Sequence, residues 1–345
     1  NCMITRLINL AEKGLMPDFI VRYGIRTLLK RRLTALVHAD PAINKKNKDI
    51  FIQVMDEGPI ALVPELANKQ HYEIPSTFYD LCLGKNKKYS SCFWNKTAGN
   101  LDSAEDLALK LTCEHADLKD GMNILELGCG WGSLSLWMAE KFPNASITSV
   151  SNSSSQKDYI MREANSRNIK NLQVITCDMN DFQTHEIFDR VVSVEMIEHM
   201  RNHRKLFNRI ASWLKPDGLF FMHIFVHKSQ PYFFEVQDDD DWMSQYFFSG
   251  GMMPSEDLPL IVQDRMMIKD QWQWSGQNYE KTANAWLENI DRNYDQAIKV
   301  LEGIYGKDSA VKWMNRWRIF FMACAELWGY KNGKEWLVSH YLFKK

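Results

Sequence analysis

The stretch from Met122 to Gly132 constrains the fold more than any other part of the chain. An apolar strand pattern at 124–127 runs without a break into a turn, and a helical pattern follows at 134–142. The turn carries glycine at alternate positions, Gly128, Gly130 and Gly132. Glycine suits such a turn because a Cβ would hold a ligand away from the backbone, and because positive φ is available to it. We therefore predict a strand–turn–helix unit that binds a nucleotide-like ligand at the strand end and the helix N-terminus.

Which ligand the turn binds depends on its spacing and its charge. Dinucleotide sites carry the spacing G-x-G-x-x-G, whereas this turn reads G-x-G-x-G and Glu126 stands two residues ahead of the first glycine. A carboxylate suits a ligand with a cationic end better than it suits a pyrophosphate. The stretch resembles motif I of the S-adenosyl-L-methionine (SAM) methyltransferases, and it predicts SAM as the cofactor. A glycine-rich turn in another kind of α/β protein is the alternative.

From Gly121 to Phe225 the sequence alternates between strand and helix patterns. The predicted strands are 122–127, 146–151, 172–176, 189–194 and 218–225, and the predicted helices are 132–142, 154–167 and 202–214. With the resemblance of the turn, this alternation predicts an α/β fold, the Rossmann-like doubly wound sheet of a class I SAM-dependent methyltransferase. Ligands of such sheets bind at the carboxyl ends of the strands, so site residues are expected there.

The rest of the chain divides around this core. Helical spacing of apolar residues predicts an N-terminal helical cap, and an aromatic-rich stretch after the fifth strand predicts a cap insertion. Two further helices at about 279–303 and 308–325 and a last strand near 335–342 are also predicted. We divide the chain into a cap and pocket region (1–115), a SAM-binding core (116–226), a cap insertion (227–262) and a C-terminal part that completes core and pocket (263–345).

The composition favours a soluble enzyme that acts on a small molecule. The chain has 345 residues, of which 45% are hydrophobic, and its net charge of −1 provides no basic surface for nucleic acid. No apolar run approaches the length of a membrane span. The seven cysteines form no C-x-x-C pair, and we interpret them as reduced thiols of a cytoplasmic protein. The sequence is compatible with a homodimer but does not determine the number of subunits.

Residues at the ends of the second and third strands are candidate ligands for the cofactor. Asn152 stands where most SAM methyltransferases carry an acid that binds the ribose hydroxyls, and Ser151 and Gln156 lie near it. Asp178 can accept a hydrogen bond from an adenine amino group, and Met179 can cover the ring. The alternative for Asp178 is an Asx cap at the start of the next loop.

Two carboxylates and an imidazole follow the fourth strand, in the order Glu195, Glu198 and His199. At the carboxyl end of a strand they are well placed for acid–base chemistry on a substrate. A zinc site is not expected, because the metalloprotease helix needs H-E-x-x-H, whereas here Met200 follows the first histidine and Glu198 precedes it. We therefore predict no metal.

Aromatic and polar residues that can line a substrate pocket cluster at two further places. The first cluster comprises Glu73, Phe78, Tyr79 and Trp94. The alternative for its aromatic members is that they pack the cap against the core. The second cluster is Trp328 and Tyr330, which follow the last predicted helix and can close the pocket. His223, in the fifth strand, is either a satisfied core histidine or a functional group near the same edge.

Beyond the glycine turn, the whole chain resembles the plant benzylisoquinoline alkaloid N-methyltransferases, which comprise coclaurine, pavine and tetrahydroprotoberberine enzymes. The stretches that carry the resemblance are Glu126–Ser133, Ser151–Gln156, Val194–Met200, Ala323–Tyr330 and Glu335–His340. The resemblance implies SAM-dependent methylation of an alkaloid nitrogen, nearest to a tetrahydroprotoberberine tertiary amine that becomes a quaternary ammonium. Methylation of a secondary amine such as coclaurine is the alternative.

The resemblance also implies roles for single residues. Contacts to SAM are implied for Ser90, Gly128, Gly130, Asn152, Gln156, Asp178 and Met179. A position facing the substrate amine is implied for Glu73, Glu195, Glu198 and His199. On this hypothesis Glu198 and His199 take the proton that the amine carries at neutral pH. Glu73 holds the cation, helped by an aromatic ring of the first cluster.

More distantly the chain resembles the cyclopropane fatty acid synthases, which act on lipids and use a bicarbonate ion. Their Tyr-Ser-Cys-x-x-Trp stretch has Cys where this chain, aligned on Trp94, has Ser91. This difference weakens the implication of bicarbonate and leaves lipid-directed chemistry as a second alternative. A SAM-binding module without catalysis is a third. Cys324 is interpreted as structural, because methyl transfer from a sulfonium needs no covalent intermediate.

Overall fold

A mixed β-sheet forms the centre of the molecule. The structure, a computed structural model, describes residues 2–62, 74–235 and 241–345, and within these ranges the sheet has seven strands. The strands are β1 (Asn123–Leu127), β2 (Ser146–Ser151), β3 (Leu172–Thr176), β4 (Phe188–Val194), β5 (Leu214–His227), β8 (Met267–Trp274) and β9 (Trp336–Lys344). Their order in the sheet is β3-β2-β1-β4-β5-β9-β8. β1 to β5 are parallel, and β9 runs antiparallel between β5 and β8.

Helices cover the sheet and build the cap. Those that precede the sheet are α1 (Cys2–Glu12), α2 (Asp18–Leu36), α3 (Pro41–Glu57), α4 (Ser76–Tyr79) and α5 (Leu101–His115). Those between strands are α6 (Ser133–Lys141), α7 (Ser154–Ser166), α8 (His203–Trp213), α9 (Trp242–Tyr246) and α10 (Leu258–Ile261). The last three are α11 (Gln277–Arg292), α12 (Tyr294–Tyr305) and α13 (Lys307–Gly329). Two short strands, β6 (Tyr232–Phe233) and β7 (Met252–Met253), pair within the cap insertion.

The predicted alternation of strands and helices is confirmed, and the differences lie at the margins. β8 was not predicted, because it is an edge strand with polar, mostly exposed residues. β5 begins at Leu214, four residues before the predicted start of that strand at 218. The single helix predicted at 279–303 is two helices, interrupted at Asn293, whose side chain donates to the Leu81 carbonyl at 3.0 Å.

Apolar side chains form a separate core on each side of the sheet and a third in the cap. α3 and α8 contribute Met55 and Phe207 to one face of the sheet, and α6 contributes Met138 to the other. The cap core is aromatic and includes Trp286 and Trp317. Each core buries the apolar stripe of its helices, which is the main source of their stability.

The N-terminal and C-terminal helices pack against each other. Asp18 on α2 accepts from Arg318 on α13 at 2.7 Å, and Glu326 on α13 accepts from Arg22 at 3.0 Å. α2 and α13, from opposite ends of the chain, therefore hold each other through two ion pairs. Within the described ranges, every helix is too short or too polar to span a bilayer.

Candidate functional site

A large cavity lies at the carboxyl ends of β1 to β4. It encloses about 1550 Å³, open solvent at its mouth included. Most of the predicted cofactor ligands line it: Ser90, Glu126, Gly128, Gly130, Asn152, Gln156, Asp178 and Met179. Of the predicted catalytic residues, Glu195 and His199 line it as well. The structure therefore brings the glycine turn and the acid–base cluster into one cavity.

The glycines of the turn differ in what they face. All three have positive φ, and a Cβ on Gly128 would collide with the side chain of Met196. A Cβ on Gly130 would meet nothing within 4 Å, because that side of the residue opens into the cavity. The turn is thus a cradle that a ligand can approach at the backbone.

Gly132 is not part of the cavity wall, contrary to the prediction. It precedes α6 with a φ of +80°, and a Cβ there would lie 2.6 Å from Cγ1 of Ile160. Ile160 lies on α7. Glycine is therefore required at position 132 by helix packing rather than by a ligand.

Glu126 provides a buried carboxyl group beside the cradle. Its Oε2 accepts from the hydroxyl groups of Ser135 and Ser149, the latter at 2.9 Å. Burial raises the pKa of Glu126 to about 7, although both serine hydrogen bonds act in the opposite direction. A cationic group in the cavity would favour ionisation of this carboxyl group.

The end of β2 presents hydrogen-bonding groups from a capped helix start. Ser151 donates to Oε1 of Gln156 at 2.7 Å, which holds the amide in place. Nε2 of Gln156 is buried and lacks a partner among the described residues. Asp178, at the end of β3, accepts from the Asn180 N–H at 2.7 Å, so it forms the Asx cap and still lines the cavity. These groups fit a ligand that carries both donors and acceptors.

Glu195 is the most highly connected carboxylate of the cavity. It follows β4 with a φ of +49°, a conformation that non-glycine residues rarely adopt. Oε1 accepts from the Ser91 N–H at 2.8 Å and lies 2.9 Å from Nε2 of His223. Oε2 accepts from the Tyr279 hydroxyl at 2.7 Å. Burial raises the pKa of the Glu195 carboxyl group, and the charge of Lys88 opposes the rise.

Glu198 does not face the cavity, which corrects its predicted position opposite the substrate. It lies in a short 3₁₀ turn and is fully buried, with Oε1 accepting from the Phe225 N–H at 2.7 Å. Burial, and then repulsion from Glu195, raises the pKa of Glu198 well above its usual value. Its neighbour His199 does line the cavity and stacks on Phe248, with 4.3 Å between ring centroids.

The predicted aromatic substrate residues pack inside the protein instead of lining the cavity. Phe78 and Tyr79 are fully buried and contact Trp317 of the cap core. Trp94 donates from Nε1 to the Thr282 hydroxyl at 3.0 Å. The alternative of packing therefore describes these three rings. Glu73, the carboxylate of the same cluster, lies outside the described residues.

The second aromatic cluster and His223 also stand behind the cavity wall. Trp328 stacks on Tyr279 at a centroid distance of 4.8 Å, and Tyr330 packs on Trp336. His223 is fully buried and contacts Glu195. Trp328 and His223 therefore support residues that line the cavity, whereas Trp336, the partner of Tyr330, does not line it.

Several residues that line the cavity were not among the predicted site residues. They are Lys88, Tyr89, Phe225, Phe248, Tyr279, Trp286 and Phe320. Tyr279 and Trp286 lie on the apolar face of α11, where helical spacing cannot distinguish a core residue from a pocket residue. Only their tertiary placement identifies them.

Comparison with known proteins identifies the family of the chain. The family model for mycolic acid cyclopropane synthetase matches residues 64–334. The (S)-coclaurine N-methyltransferase of Thalictrum flavum subsp. glaucum is 36% identical over 350 residues, which cover 99% of this chain and 96% of that protein. The (S)-tetrahydroprotoberberine N-methyltransferase of Eschscholzia californica is 34% identical over 298 residues, covering 86% of this chain and 85% of that protein.

A solved structure matches nearly the whole chain. The crystal structure of coclaurine N-methyltransferase bound to N-methylheliamine and SAH superimposes with a TM-score of 0.96 at 36% identity, covering 99% of this chain and 100% of that one. The similarity does not single out the tetrahydroprotoberberine enzymes, because the coclaurine enzyme is at least as similar over more of the chain. The chain therefore belongs to the benzylisoquinoline alkaloid N-methyltransferases, within the wider mycolic acid cyclopropane synthetase family, and has the class I SAM-dependent methyltransferase fold.

Proposed function

We propose that this protein transfers the methyl group of SAM to the amine nitrogen of a benzylisoquinoline-derived alkaloid. The substrate that we propose first is a tetrahydroprotoberberine tertiary amine, which becomes a quaternary N-methyl ammonium while SAM becomes S-adenosylhomocysteine (SAH). The observation that carries the proposal is the cavity itself. It combines an open glycine cradle with Glu195 and His199 in one space.

The cavity wall supplies a binding site for the cofactor. We assign this role to Ser90, Glu126, Gly128, Gly130, Asn152, Gln156, Asp178 and Met179. The open face of Gly130, the unpartnered Nε2 of Gln156 and the buried carboxyl of Glu126 match a ligand with a cationic end and several polar groups. When bound there, SAM supplies an electrophilic methyl group on a sulfonium.

Removal of the amine proton is the task that falls to the protein. An alkylamine with a pKa of about 10 exposes its lone pair in roughly one molecule in a thousand at pH 7, at a cost of about 4 kcal/mol. Glu195 and His199 are the proton acceptors that we propose, because both line the cavity. Glu198 acts indirectly, since it holds the backbone of Phe225, another lining residue.

Aromatic rings complete the substrate side of the cavity. Tyr89, Phe225, Phe248, Trp286 and Phe320 all lie in its wall. Such rings exclude water and attract a substituted ammonium through cation–π contact, with about 0.5 to 2 kcal/mol for each favourable ring. They take the role that the sequence had suggested for Phe78, Tyr79 and Trp94.

A radiolabelled methyl group tests the proposal. The purified protein is incubated with methyl-labelled SAM and a panel of tetrahydroprotoberberine, pavine and coclaurine-type amines, and products are identified by mass. We expect one quaternary ammonium product. His199→Ala should lower kcat by about a hundredfold or more, whereas the matched control His185→Ala, an exposed histidine, should not. Label in no amine contradicts the proposal.

A second candidate is methylation of a secondary amine. It is favoured by the 36% identity to a coclaurine N-methyltransferase across 99% of the chain. The same panel distinguishes the two, because a secondary amine yields a tertiary product that can be protonated and a tertiary amine yields a permanent cation. Label recovered in vesicles of unsaturated phospholipid would instead indicate cyclopropane-type chemistry on a lipid.

A further inference from the structure

Three histidines form a continuous row from the cavity wall to the far edge of the sheet. His223 on β5 lies 2.9 Å from Oε1 of Glu195, measured from its Nε2. Its Nδ1 lies 2.9 Å from Nε2 of His340 on β9. The Nδ1 of His340 lies 2.8 Å from Nδ1 of His115, at the last residue of α5. Each distance is that of a hydrogen bond.

The row has a buried middle and a half-exposed end. His223 and His340 are fully buried, and His340 packs on Trp274 and Phe221. His115 is half-buried and stacks on Trp272 with 4.0 Å between ring centroids. The row therefore joins Glu195, which is 7% exposed at its side chain, to His115, which does not line the cavity.

The row has three contacts, Glu195–His223, His223–His340 and His340–His115, and each needs one proton to form a hydrogen bond. A neutral imidazole carries one N–H and one acceptor nitrogen. Burial keeps both inner rings neutral, because it holds the pKa values of His223 and His340 well below the ordinary range. Each neutral ring then donates to one neighbour and accepts from the other, so all three protons must point the same way along the row.

We propose that His223, His340 and His115 are a proton relay that carries the proton of Glu195 to solvent outside the cavity. The relay rests on the proposed function, in which Glu195 receives the proton of the substrate amine. A substrate and SAM that fill the cavity leave little water beside Glu195. The row of imidazoles provides an exit that the ligands do not block.

The transfer conserves charge at every ring. The O–H bond of Glu195 breaks as Nε2 of His223 gains the proton, and Nδ1 of His223 passes its own proton to Nε2 of His340. Nδ1 of His340 passes its proton to Nδ1 of His115, whose Nε2 releases one to water. Each ring ends as its other neutral tautomer, so the rings must exchange tautomers before they conduct the next proton.

Charged and titratable groups stand at both ends of the relay. At the inner end, Glu195 faces Lys88, Tyr279 and Glu198. At the outer end, the negative charge of Glu114 acts on His115. Lys88 repels a proton near the cavity and Glu114 attracts one near His115, whereas burial of His115 disfavours its charged form.

Single-turnover and steady-state kinetics together test the relay. In His340→Gln, the amide can hydrogen-bond to both neighbours but cannot transfer a proton between them. In His115→Phe, the ring keeps the stack on Trp272 but has no nitrogen that accepts a proton. In either variant Glu195 still takes one proton. We therefore expect a single-turnover rate constant within twofold of the wild type, with kcat and proton release, followed with a pH indicator, at least tenfold slower. His227→Gln, at an equally buried histidine of β5 outside the row, is the control and should retain both rates.

The outcomes separate the relay from the proposed function. Methyl transfer with wild-type kcat and proton release in both variants overturns the relay and leaves the function standing. A parallel fall of single-turnover rate and kcat overturns it too, because that pattern indicates misplacement of Glu195. Absence of methyl transfer to any amine in the wild type overturns the proposed function instead.

A spectroscopic measurement tests the relay without turnover. Nitrogen-15 spectra of the labelled protein report which nitrogen of each histidine carries the proton. We expect one of two sets: Nε2–H on His223 and His340 with Nδ1–H on His115, or the reverse at all three. A mixed set means that one contact lacks its proton, and it overturns the relay even if a substituted variant fails to fold.

Discussion

Three carboxyl groups near the cavity differ in their hydrogen-bond partners and in whether they face the cavity. Glu126 is hydrogen-bonded by two serine hydroxyls, Glu195 by a backbone N–H, an imidazole and a phenol, and Glu198 by one backbone N–H. Burial raises the pKa of all three. Only Glu126 and Glu195 line the cavity, so only these two can exchange charge with a ligand directly.

SAH should bind more tightly as the pH rises from 6 to 8. Without ligand, burial raises the pKa of Glu126 to about 7, so the carboxyl group must lose its proton before it pairs with the cationic end of SAH. Affinity then follows the ionised fraction and increases about tenfold over this range. Calorimetric titration at several pH values measures it. Glu126→Gln should bind equally at pH 6 and 8, and an equally flat profile in the wild type contradicts the assignment.

Glu198→Gln should keep both activity and stability. Burial and the nearby Glu195 hold the pKa of Glu198 well above its usual value, which favours the neutral acid, and glutamine preserves the acceptor for the Phe225 N–H. Glu198→Ala leaves that buried N–H without a partner and should cost about 1 to 3 kcal/mol. Denaturant unfolding and kcat are measured on both variants. A large loss of kcat in Glu198→Gln at unchanged stability would mean that this proton moves during the reaction.

At the scale of elements, one turn serves two purposes. Gly128 and Gly130 belong to the ligand side of the β1–α6 connection, while Gly132 belongs to the packing of α6 on α7. Each of the three glycines faces different surroundings: Met196 at Gly128, the open cavity at Gly130 and Ile160 at Gly132. The same turn thus leaves Gly130 open to the cavity and packs Gly132 against Ile160.

Alanine at positions 130 and 132 should separate these purposes. Gly132→Ala places its Cβ 2.6 Å from Ile160 at a φ of +80°, and strain and overpacking together should cost about 2 to 5 kcal/mol of unfolding free energy. Gly130→Ala meets no protein atom within 4 Å, so it should cost about 1 to 2 kcal/mol but weaken SAH binding. Thermal unfolding and SAH titration check both. Equal binding by Gly130→Ala and the wild type would remove this residue from the cofactor site.

At the scale of the whole molecule, the first helix is tied to distant segments through one buried carboxylate. Glu12 on α1 accepts from Arg316 on α13 at 2.9 Å and from the indole N–H of Trp242 at 2.9 Å. All three side chains are buried. The N-terminal helix, the cap insertion and the C-terminal helices therefore stabilise one another around Glu12.

Loss of Glu12 should destabilise the entire cap. Glu12→Ala leaves the guanidinium of Arg316 buried without its carboxylate, which should cost about 3 to 5 kcal/mol. Chemical denaturation measures the loss, and limited proteolysis should show earlier cleavage in α1. Lys13→Ala, at the exposed neighbouring position, is the control. Comparable stability of Glu12→Ala and Lys13→Ala would show that α1 contributes little to the cap.

Periodicity and local spacing sufficed for the elements of the core. The bounds predicted for β2 and β3 are those observed, and β1 and β4 each differ by one residue at the start. Such patterns lie within neighbouring residues, so no tertiary information is needed to read them. Edge strand β8 was missed because most of its residues are exposed, and only Ile268, Trp272 and Trp274 are partly or fully buried, which leaves a short and weak apolar alternation.

By itself the sequence determined the doubly wound core, the glycine turn, and the carboxylates and imidazole after β4. Only the tertiary structure decided that Glu198 turns inward, that Tyr279 reaches Glu195, and that three histidines meet in a row. His115, His223 and His340 are far apart in the chain and belong to α5, β5 and β9. They come together because β9 pairs antiparallel with β5, a long-range contact that no local pattern encodes.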